Sequence, residues 1–134
     1  MIRRLIGAAA LLAACAAAQN TGYQPDPAWL APAEAAARSN PLASRRALVA
    51  GGRKLFLQHC AQCHGATGEG SKQKAKAADL LLPVVQQQRD GALHWKITNG
   101  NLDRSMPSFS RLPDLQRWQL VLYLRELAAK SSPQ

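Results

Sequence analysis

The sequence predicts a small all-α domain, and two features of its 134 residues indicate this fold class. Apolar side chains recur at helical spacing in the segments 44–60, 93–97 and 113–130, as they do in amphipathic helices. No stretch of useful length alternates apolar and polar residues like a half-buried strand, and no internal repeat is present. Aromatic residues make up only 5% of the chain, so the core is expected to be small or filled partly by something other than side chains.

Residues 1–14 have the features of an export signal, and Cys15 follows them. Two arginines precede an uncharged apolar stretch at residues 5–14, which is shorter than the roughly 20 residues of a membrane span. The motif "LAAC", which ends at Cys15, resembles the lipobox of bacterial lipoproteins. The resemblance implies a lipidated Cys15 and a periplasmic protein attached to a bacterial membrane through this lipid alone. Ordinary cleavage at residues 16–18, with a soluble periplasmic product, is the alternative.

Residues 15–43 are predicted to form a flexible tether rich in proline and alanine. Four prolines interrupt this segment and no apolar period is sustained, so local order is expected only near Trp29 and Leu30. A flexible chain of this length spans about 30 Å on average. The folded domain is accordingly predicted at residues 44–130, with residues 131–134 as a short tail.

The first predicted helix of the domain leads into the cysteine pair. Ser44 is its expected N-cap, and Leu48, Leu55 and Phe56 share one face. The adjacent glycines at positions 51 and 52 each weaken a helix by about 1 kcal/mol relative to alanine. A glycine pair inside a periodic helix therefore indicates that another backbone comes very close at this point.

Three further elements follow a loop rich in glycine and lysine. Residues 80–88 are expected to form a short helix interrupted by Pro83. The next helix ends at Asn99 and Gly100, a typical helix terminator. The last helix begins at Pro113 and Asp114, which suit the first turn and the positive end of a helix. Its broad apolar arc predicts burial on most sides.

The motif "CAQCHG" indicates the cofactor. Cys60 and Cys63 lie three positions apart and His64 follows directly, which is the attachment signature of a c-type haem. Two thiols one helical turn apart can add to both vinyl groups of a porphyrin, and the next histidine can ligate the iron. A zinc site needs four ligands and the second cysteine pair is missing, while a dithiol redox pair has no need of the histidine. The sequence predicts one covalent haem c with His64 as an axial ligand.

Met106 is predicted as the second axial ligand of the iron. Once Met1 is removed with the signal, Met106 is the only thioether of the chain, and it lies in a segment with turn signals rather than in a helix. His59 is next to Cys60 and cannot easily reach the opposite face of a porphyrin. His94 lies at helical spacing and is expected at the surface or at the rim of the site.

The chain resembles the class I mono-haem cytochromes c over residues 52–127. The motifs "GRKLFLQHCAQCHG", "HWKITNG", "MPSF" and "LVLYLREL" carry the resemblance. It implies three to five helices wrapped around the haem, with the N-terminal and C-terminal helices crossing where Gly52 permits close contact. Two features depart from the family. No proline before Pro83 supplies a carbonyl to His64, so another carbonyl is expected to orient it, and Leu112 and Pro113 replace the usual serine cap of the last helix.

The residues and the resemblance together predict a one-electron carrier and not an enzyme. A sulfur ligand opposite histidine stabilises the reduced iron, and six-coordinate iron has no vacant position for a substrate. The alternatives are an electron-accepting haem subunit of a periplasmic dehydrogenase and, if Met106 does not bind, a five-coordinate haem peroxidase or sensor.

The basic charge of the chain predicts acidic partners. The formal net charge is +9, and without the two signal arginines it is 15 − 8 = +7. Export argues against nucleic acid as a partner, so the expected partners are redox proteins with acidic docking surfaces. The chain itself is expected to be a monomer or a subunit of a redox complex. Trp95 and Arg104 are candidate donors to the haem propionates. The family uses lysines at the haem edge for docking, and the candidates in this chain are Lys72, Lys74 and Lys76. The alternative is that these lysines belong to a solvated loop without a docking role.

Overall fold

Residue 23, residues 25–70 and residues 77–131 are described by the computed structural model of the chain, and they confirm the all-α prediction. These residues form six α-helices, namely α1 (Ala33–Ala36), α2 (Val49–His59), α3 (Ala61–His64), α4 (Pro83–Gln86), α5 (Asp90–Asn99) and α6 (Asp114–Ser131). Helices α2, α5 and α6 are the longer elements, whereas α1, α3 and α4 are single turns. Across these ranges no helix is long and apolar enough to cross a membrane.

Helices α2 and α6 meet at Gly52, as the glycine pair predicts. A β-carbon at Gly52 would collide with the backbone carbonyl of Gln119 and would lie 2.9 Å from the Tyr123 Cβ. One turn further along α2, the buried ring of Phe56 packs against the Tyr123 ring with 5.4 Å between centroids. Glycine is therefore needed at position 52 because the backbone of α6 occupies the space of a side chain.

Helices α5 and α6 supply most of the remaining core. Trp118 is buried near the start of α6, and its indole Nε1 donates to the Asp114 carboxylate over 3.1 Å. The apolar side chains of these two helices that are buried with it are Leu93, Ile97, Leu120, Val121 and Leu124. This burial agrees with the broad apolar arc predicted for the last helix.

Residues 25–43 lie against the domain, which corrects the prediction of a flexible tether for this part of the segment. A β-carbon at Gly91 in α5 would collide with the Ala35 carbonyl of α1. Leu42 is buried in the core. The buried Asn40 donates through Nδ2 to the Trp118 carbonyl over 3.1 Å and accepts the Leu42 N–H over 2.8 Å. Isolated residues between prolines make these contacts, so they leave no period in the sequence. Residues 1–22, including the signal and Cys15, lie outside the described residues, as do 132–134 of the tail.

Two predicted helix starts differ from the observed ones. Ser44 is not the N-cap of α2, which begins at Val49 after a 3-10 turn at Arg46–Leu48. The side chain of Asn40 instead closes the preceding turn. Pro83 does not interrupt a helix but occupies the first turn of α4, where a missing N–H costs nothing. Helices α5 and α6 end and begin where the sequence indicates.

Candidate cofactor site

A cavity of about 540 Å³ opens on the domain, and all four predicted haem residues line it. This volume lies within the range of about 300–1,000 Å³ that is usual for cofactor sites. Cys60, Cys63 and His64 come from the end of α2 and from α3, while Met106 comes from the loop between α5 and α6. Residues that are 46 positions apart at the extremes thus line one cavity.

The two thiols are held by one turn of helix. The Cys60 carbonyl accepts the backbone N–H of Cys63 over 3.1 Å and that of His64 over 3.0 Å. Cys60 and Cys63 are not joined in a disulfide. Burial, with a smaller effect of the neighbouring Cys63, raises the pKa of the Cys60 thiol to about 12. A dithiol redox centre requires a lowered thiol pKa, so this environment disfavours that alternative.

The Ala78 carbonyl orients His64, which answers the question left by the missing proline. His64 Nδ1 lies 2.9 Å from the Ala78 oxygen. Because a carbonyl can only accept, Nδ1 carries the proton and the lone pair of Nε2 is left for a metal. Burial lowers the pKa of His64, and the hydrogen bond to Ala78 opposes this shift only in part. The imidazole is therefore held neutral, as a metal ligand must be.

A short loop closed by a backbone bridge presents Met106. The Asn101 N–H donates to the Met106 carbonyl over 2.8 Å, and the Met106 N–H donates to the Asn101 carbonyl over 2.9 Å. Between them a 3-10 turn at Leu102–Arg104 is followed by Ser105 with φ 62°. Gly100 has φ 67°, and a β-carbon there would lie 2.6 Å from the Met106 carbonyl. The thioether is thus placed by a rigid loop outside any helix.

The apolar part of the wall is built by Ile97 and Phe109. The Phe109 N–H donates to the Ile97 carbonyl over 3.1 Å, which ties the segment after Met106 to the end of α5. His59 also lines the cavity, with its ring edge-on to Phe109 at a centroid distance of 6.1 Å. An apolar wall beside two thiols and a neutral imidazole suits a flat, largely hydrophobic group.

His94 is buried, and the prediction of a surface or rim position is wrong. Its side chain is only 4% exposed, and its ring stacks on the Trp118 ring with 4.0 Å between centroids. Its Nε2 lies 3.0 Å from Asp114 Oδ1, and it does not line the cavity. Helical spacing placed His94 on a face of α5 but could not show that α6 covers this face.

Of the two candidates for the haem propionates, only Arg104 lines the cavity, whereas Trp95 is partly buried elsewhere. Tyr23, Trp29 and Asn101 also line the cavity, and no motif in the sequence points to them. The first two lie in the predicted tether, where the local order expected near Trp29 is the available signal.

The residues present fit a haem. Two thiols, an oriented imidazole, a thioether and an apolar wall meet at a cavity of suitable size. Among residues 23, 25–70 and 77–131 no group of three or more His, Cys, Asp or Glu side chains could hold a metal ion. The lysines of the candidate docking surface at residues 72–76 lie outside the described residues.

Comparison with known proteins gives one family. Residues 47–124 match the family described as cytochrome C oxidase, cbb3-type, subunit III. The match covers more than half of the chain and includes both cysteines of the motif, His64 and Met106. No curated protein matches this sequence.

Proposed function

Because the chain belongs to the family of cbb3-type cytochrome C oxidase subunit III, and so to the class I c-type cytochromes, we propose that it carries single electrons through one haem c. The thioethers form at Cys60 and Cys63, and the axial ligands are His64 and Met106. The observation that supports this proposal most directly is the meeting of these four side chains at one cavity.

The bound haem supplies an iron that changes its oxidation state by one electron. The residues of the chain position the side chains that would bind the iron. The Ala78 carbonyl keeps the proton of His64 on Nδ1 and so directs Nε2 toward the metal. The paired hydrogen bonds between Asn101 and Met106 fix the loop that carries the sulfur. The imidazole of His64 and the thioether of Met106 would together hold the iron, would leave no position for a substrate and would favour the reduced state.

The apolar walls of the cavity would exclude water from a bound metal. Ile97 is only 8% exposed, and Phe109 is packed against the same core. A low-dielectric surrounding disfavours the extra positive charge of the oxidised iron and so raises the reduction potential. The same apolar contacts would compensate for the few aromatic side chains of the core once the cofactor is bound.

The spectrum of a Met106→Ala variant tests the axial ligation. The oxidised wild type is expected to show the far-red charge-transfer band of sulfur bound to haem iron. Met106→Ala should lose this band and show a lower reduction potential, because the sulfur no longer stabilises the reduced iron. Leu102→Ala is the matched control, since Leu102 is 83% exposed on the same loop and should keep both properties.

A far-red band that persists in Met106→Ala would overturn the assignment of the sulfur ligand. A wild-type protein that lacks the band and binds carbon monoxide rapidly would overturn the proposed electron-carrier function. It would favour the alternative of a five-coordinate haem peroxidase or sensor. A colourless protein in which both Cys60 and Cys63 can be alkylated would overturn the proposal that a haem is covalently attached.

The proposed location is the periplasm, with the lipid on Cys15 as membrane attachment. Family membership supports an extracytoplasmic protein. The proposed partners are redox proteins with acidic surfaces that dock at the haem edge, where the net charge of 15 − 8 = +7 that remains without the two signal arginines would steer them. Lys72, Lys74 and Lys76 remain the proposed docking lysines. The intact mass of protein from native membranes tests the anchor, because haem and acyl chains both add to it. A haem-loaded chain without acyl chains would contradict the anchor alone.

A second candidate is a fixed haem subunit of a membrane oxidase. The observation that favours it is the family description, which names an oxidase subunit. A fixed subunit should co-purify with a larger haem-containing complex in mild detergent and stay with it at high salt. A free shuttle should separate from all other haem proteins under the same conditions.

A further inference from the structure

One carboxylate joins the N-terminal arm, residues 25–43, to the loop that carries Met106. Asp26 Oδ2 accepts a hydrogen bond from Asn101 Nδ2 over 3.4 Å and lies 3.9 Å from Arg104 Nε. Asn101 directly precedes the 3-10 turn of this loop, and Arg104 is the last residue of the turn. The carboxylate therefore contacts the loop at both ends of its turn, and only 27% of the Asp26 side chain is exposed.

Asp26 is itself held in place by a turn of the arm that rests on α5. Its Oδ1 accepts the Ala28 N–H over 2.9 Å, and its carbonyl accepts the Trp29 N–H over 3.2 Å. The centroid of the Trp29 ring lies 4.6 Å from Lys96 Nζ of α5, which is a cation–π contact. One oxygen of the carboxylate is thus fixed by its own turn, and the other is left for the loop. Such a carboxylate can brace the loop, because its own position is set by contacts outside the loop.

The loop around Met106 includes an unfavourable backbone conformation. Ser105, next to Met106, has a left-handed φ of 62°, which costs energy for a residue with a side chain. Backbone hydrogen bonds of 2.8 Å and 2.9 Å between Asn101 and Met106 close the loop. Asn101 is thus bonded to Asp26 through its side chain and to Met106 through its backbone. Fixing this side chain disfavours loop conformations in which the thioether moves away from the cavity.

We propose that Asp26 is a positioning residue for Met106, on which it acts through Asn101 and Arg104. The assignment rests on the proposed function, in which the Met106 sulfur is an axial ligand of the haem iron. When the loop opens, the sulfur leaves the iron and an external ligand can take its place. The Asp26 carboxylate disfavours this opening, and the arm thereby helps to exclude external ligands from the iron.

A titration of oxidised, haem-loaded Asp26→Asn with imidazole tests the assignment. Asparagine can still accept the Ala28 N–H, but its amide group then turns N–H donors toward the Asn101 amide. Imidazole competes with the Met106 sulfur, so its apparent affinity rises with the fraction of open loop. We expect the far-red band to be lost at imidazole concentrations about three- to tenfold lower than in the wild type, because one hydrogen bond to a charged group is missing. Asp103→Asn is the matched control, since it removes the same charge from an exposed residue of the same turn. It should need the wild-type concentrations.

Amide hydrogen exchange gives a second measurement, which covers the case in which Asp26→Asn does not fold. In the reduced wild-type holoprotein, the N–H groups of Ala28 and Met106 should have similar protection factors, because the turn of the arm and the loop open together. In Asp26→Asn the Met106 N–H should exchange several-fold faster. In Asp103→Asn it should exchange at the wild-type rate.

The outcomes separate this assignment from the proposed function. Equal imidazole affinities of Asp26→Asn and Asp103→Asn would overturn the role of Asp26 and leave electron transfer intact. A wild-type Met106 N–H that stays protected while the Ala28 N–H exchanges would do the same, because the loop would then be held without the arm. A wild-type protein without the far-red band would overturn the proposed axial ligation instead, and the exchange comparison would still decide whether Asp26 holds the loop.

Discussion

The contact between α2 and α6 can be tested by adding one methyl group at either of two adjacent glycines. In Gly52→Ala the new Cβ would collide with the Gln119 backbone carbonyl and would lie 2.9 Å from the Tyr123 Cβ. In Gly51→Ala it would lie 2.6 Å from Gln119 Nε2, the far end of a flexible side chain that can turn away. The pair is matched, because both glycines lie inside α2 and both variants gain about 1 kcal/mol of helix propensity.

The two variants should therefore differ by the cost of moving a backbone. Overpacking of a close contact costs about 1–3 kcal/mol, and Gly51→Ala should escape most of it. In a domain of this size 1 kcal/mol corresponds to about 4–8 °C in Tm, so Gly52→Ala should melt roughly 5–20 °C below Gly51→Ala. Thermal unfolding of the haem-loaded proteins, followed by far-ultraviolet circular dichroism, measures this difference. Equal Tm values would refute the close approach of the two helices at Gly52.

Two further predictions concern buried polar groups. Asn40→Ala should lower the free energy of unfolding by about 1–3 kcal/mol, because it leaves the Leu42 N–H and the Trp118 carbonyl without a side-chain partner; urea unfolding measures this loss. His94→Gln should flatten the dependence of stability on pH. Burial lowers the pKa of His94 in the folded protein, although Asp114 favours the cation. The unfolded chain, in which the pKa of histidine is about 6.5, therefore binds the proton first as the pH falls. The wild type should lose stability from about pH 6.5 downward, until the pH reaches the lowered pKa of the folded state. Urea unfolding between pH 7 and pH 5 should show this slope in the wild type and less of it in the variant.

Each of these predictions has a comparison that isolates its cause. Ser39→Ala is the control for Asn40→Ala, because Ser39 is the exposed neighbour in the same arm. Equal stability of the two variants would contradict the docked arm and support the prediction that this segment is a flexible tether. For His94→Gln the contribution of His64 is present in both proteins and cancels in the difference. Parallel pH curves for wild type and variant would contradict a neutral, buried His94.

The predictable part of the site is the part that is local in sequence. Cys60, Cys63 and His64 occupy one helical turn, so their spacing alone indicates the chemistry. The position of Met106 at the cavity agrees with the prediction, which rests on Met1 being the only other methionine of the chain and on the turn signals around Met106. The Ala78 carbonyl could not be predicted, since every residue carries a carbonyl and only the path of the chain decides which one reaches His64.

The unpredicted part depends on contacts between distant segments. Asn40 bonds to Trp118 across 78 positions, and neither residue lies in a pattern that points to the other. Trp29 lies between prolines, where no helical or strand period shows which side is buried. The spacing of His94 predicts a helix, as observed. Periodicity does not tell which neighbouring element covers the face of the helix that carries His94. These errors share one cause, namely that a polar or isolated side chain acquires its burial only from the assembled fold.

Docking of the arm shortens the distance over which the haem could move relative to a membrane. Tyr23 already lines the cavity, and the seven residues from 16 to 22 could span at most about 25 Å, whereas the 28 residues from 16 to 43 would reach about 95 Å. A lipid on Cys15 would then keep the redox centre within about one domain diameter of the bilayer surface. Such a protein would exchange electrons with complexes seated in the same membrane and not with partners across the periplasmic space.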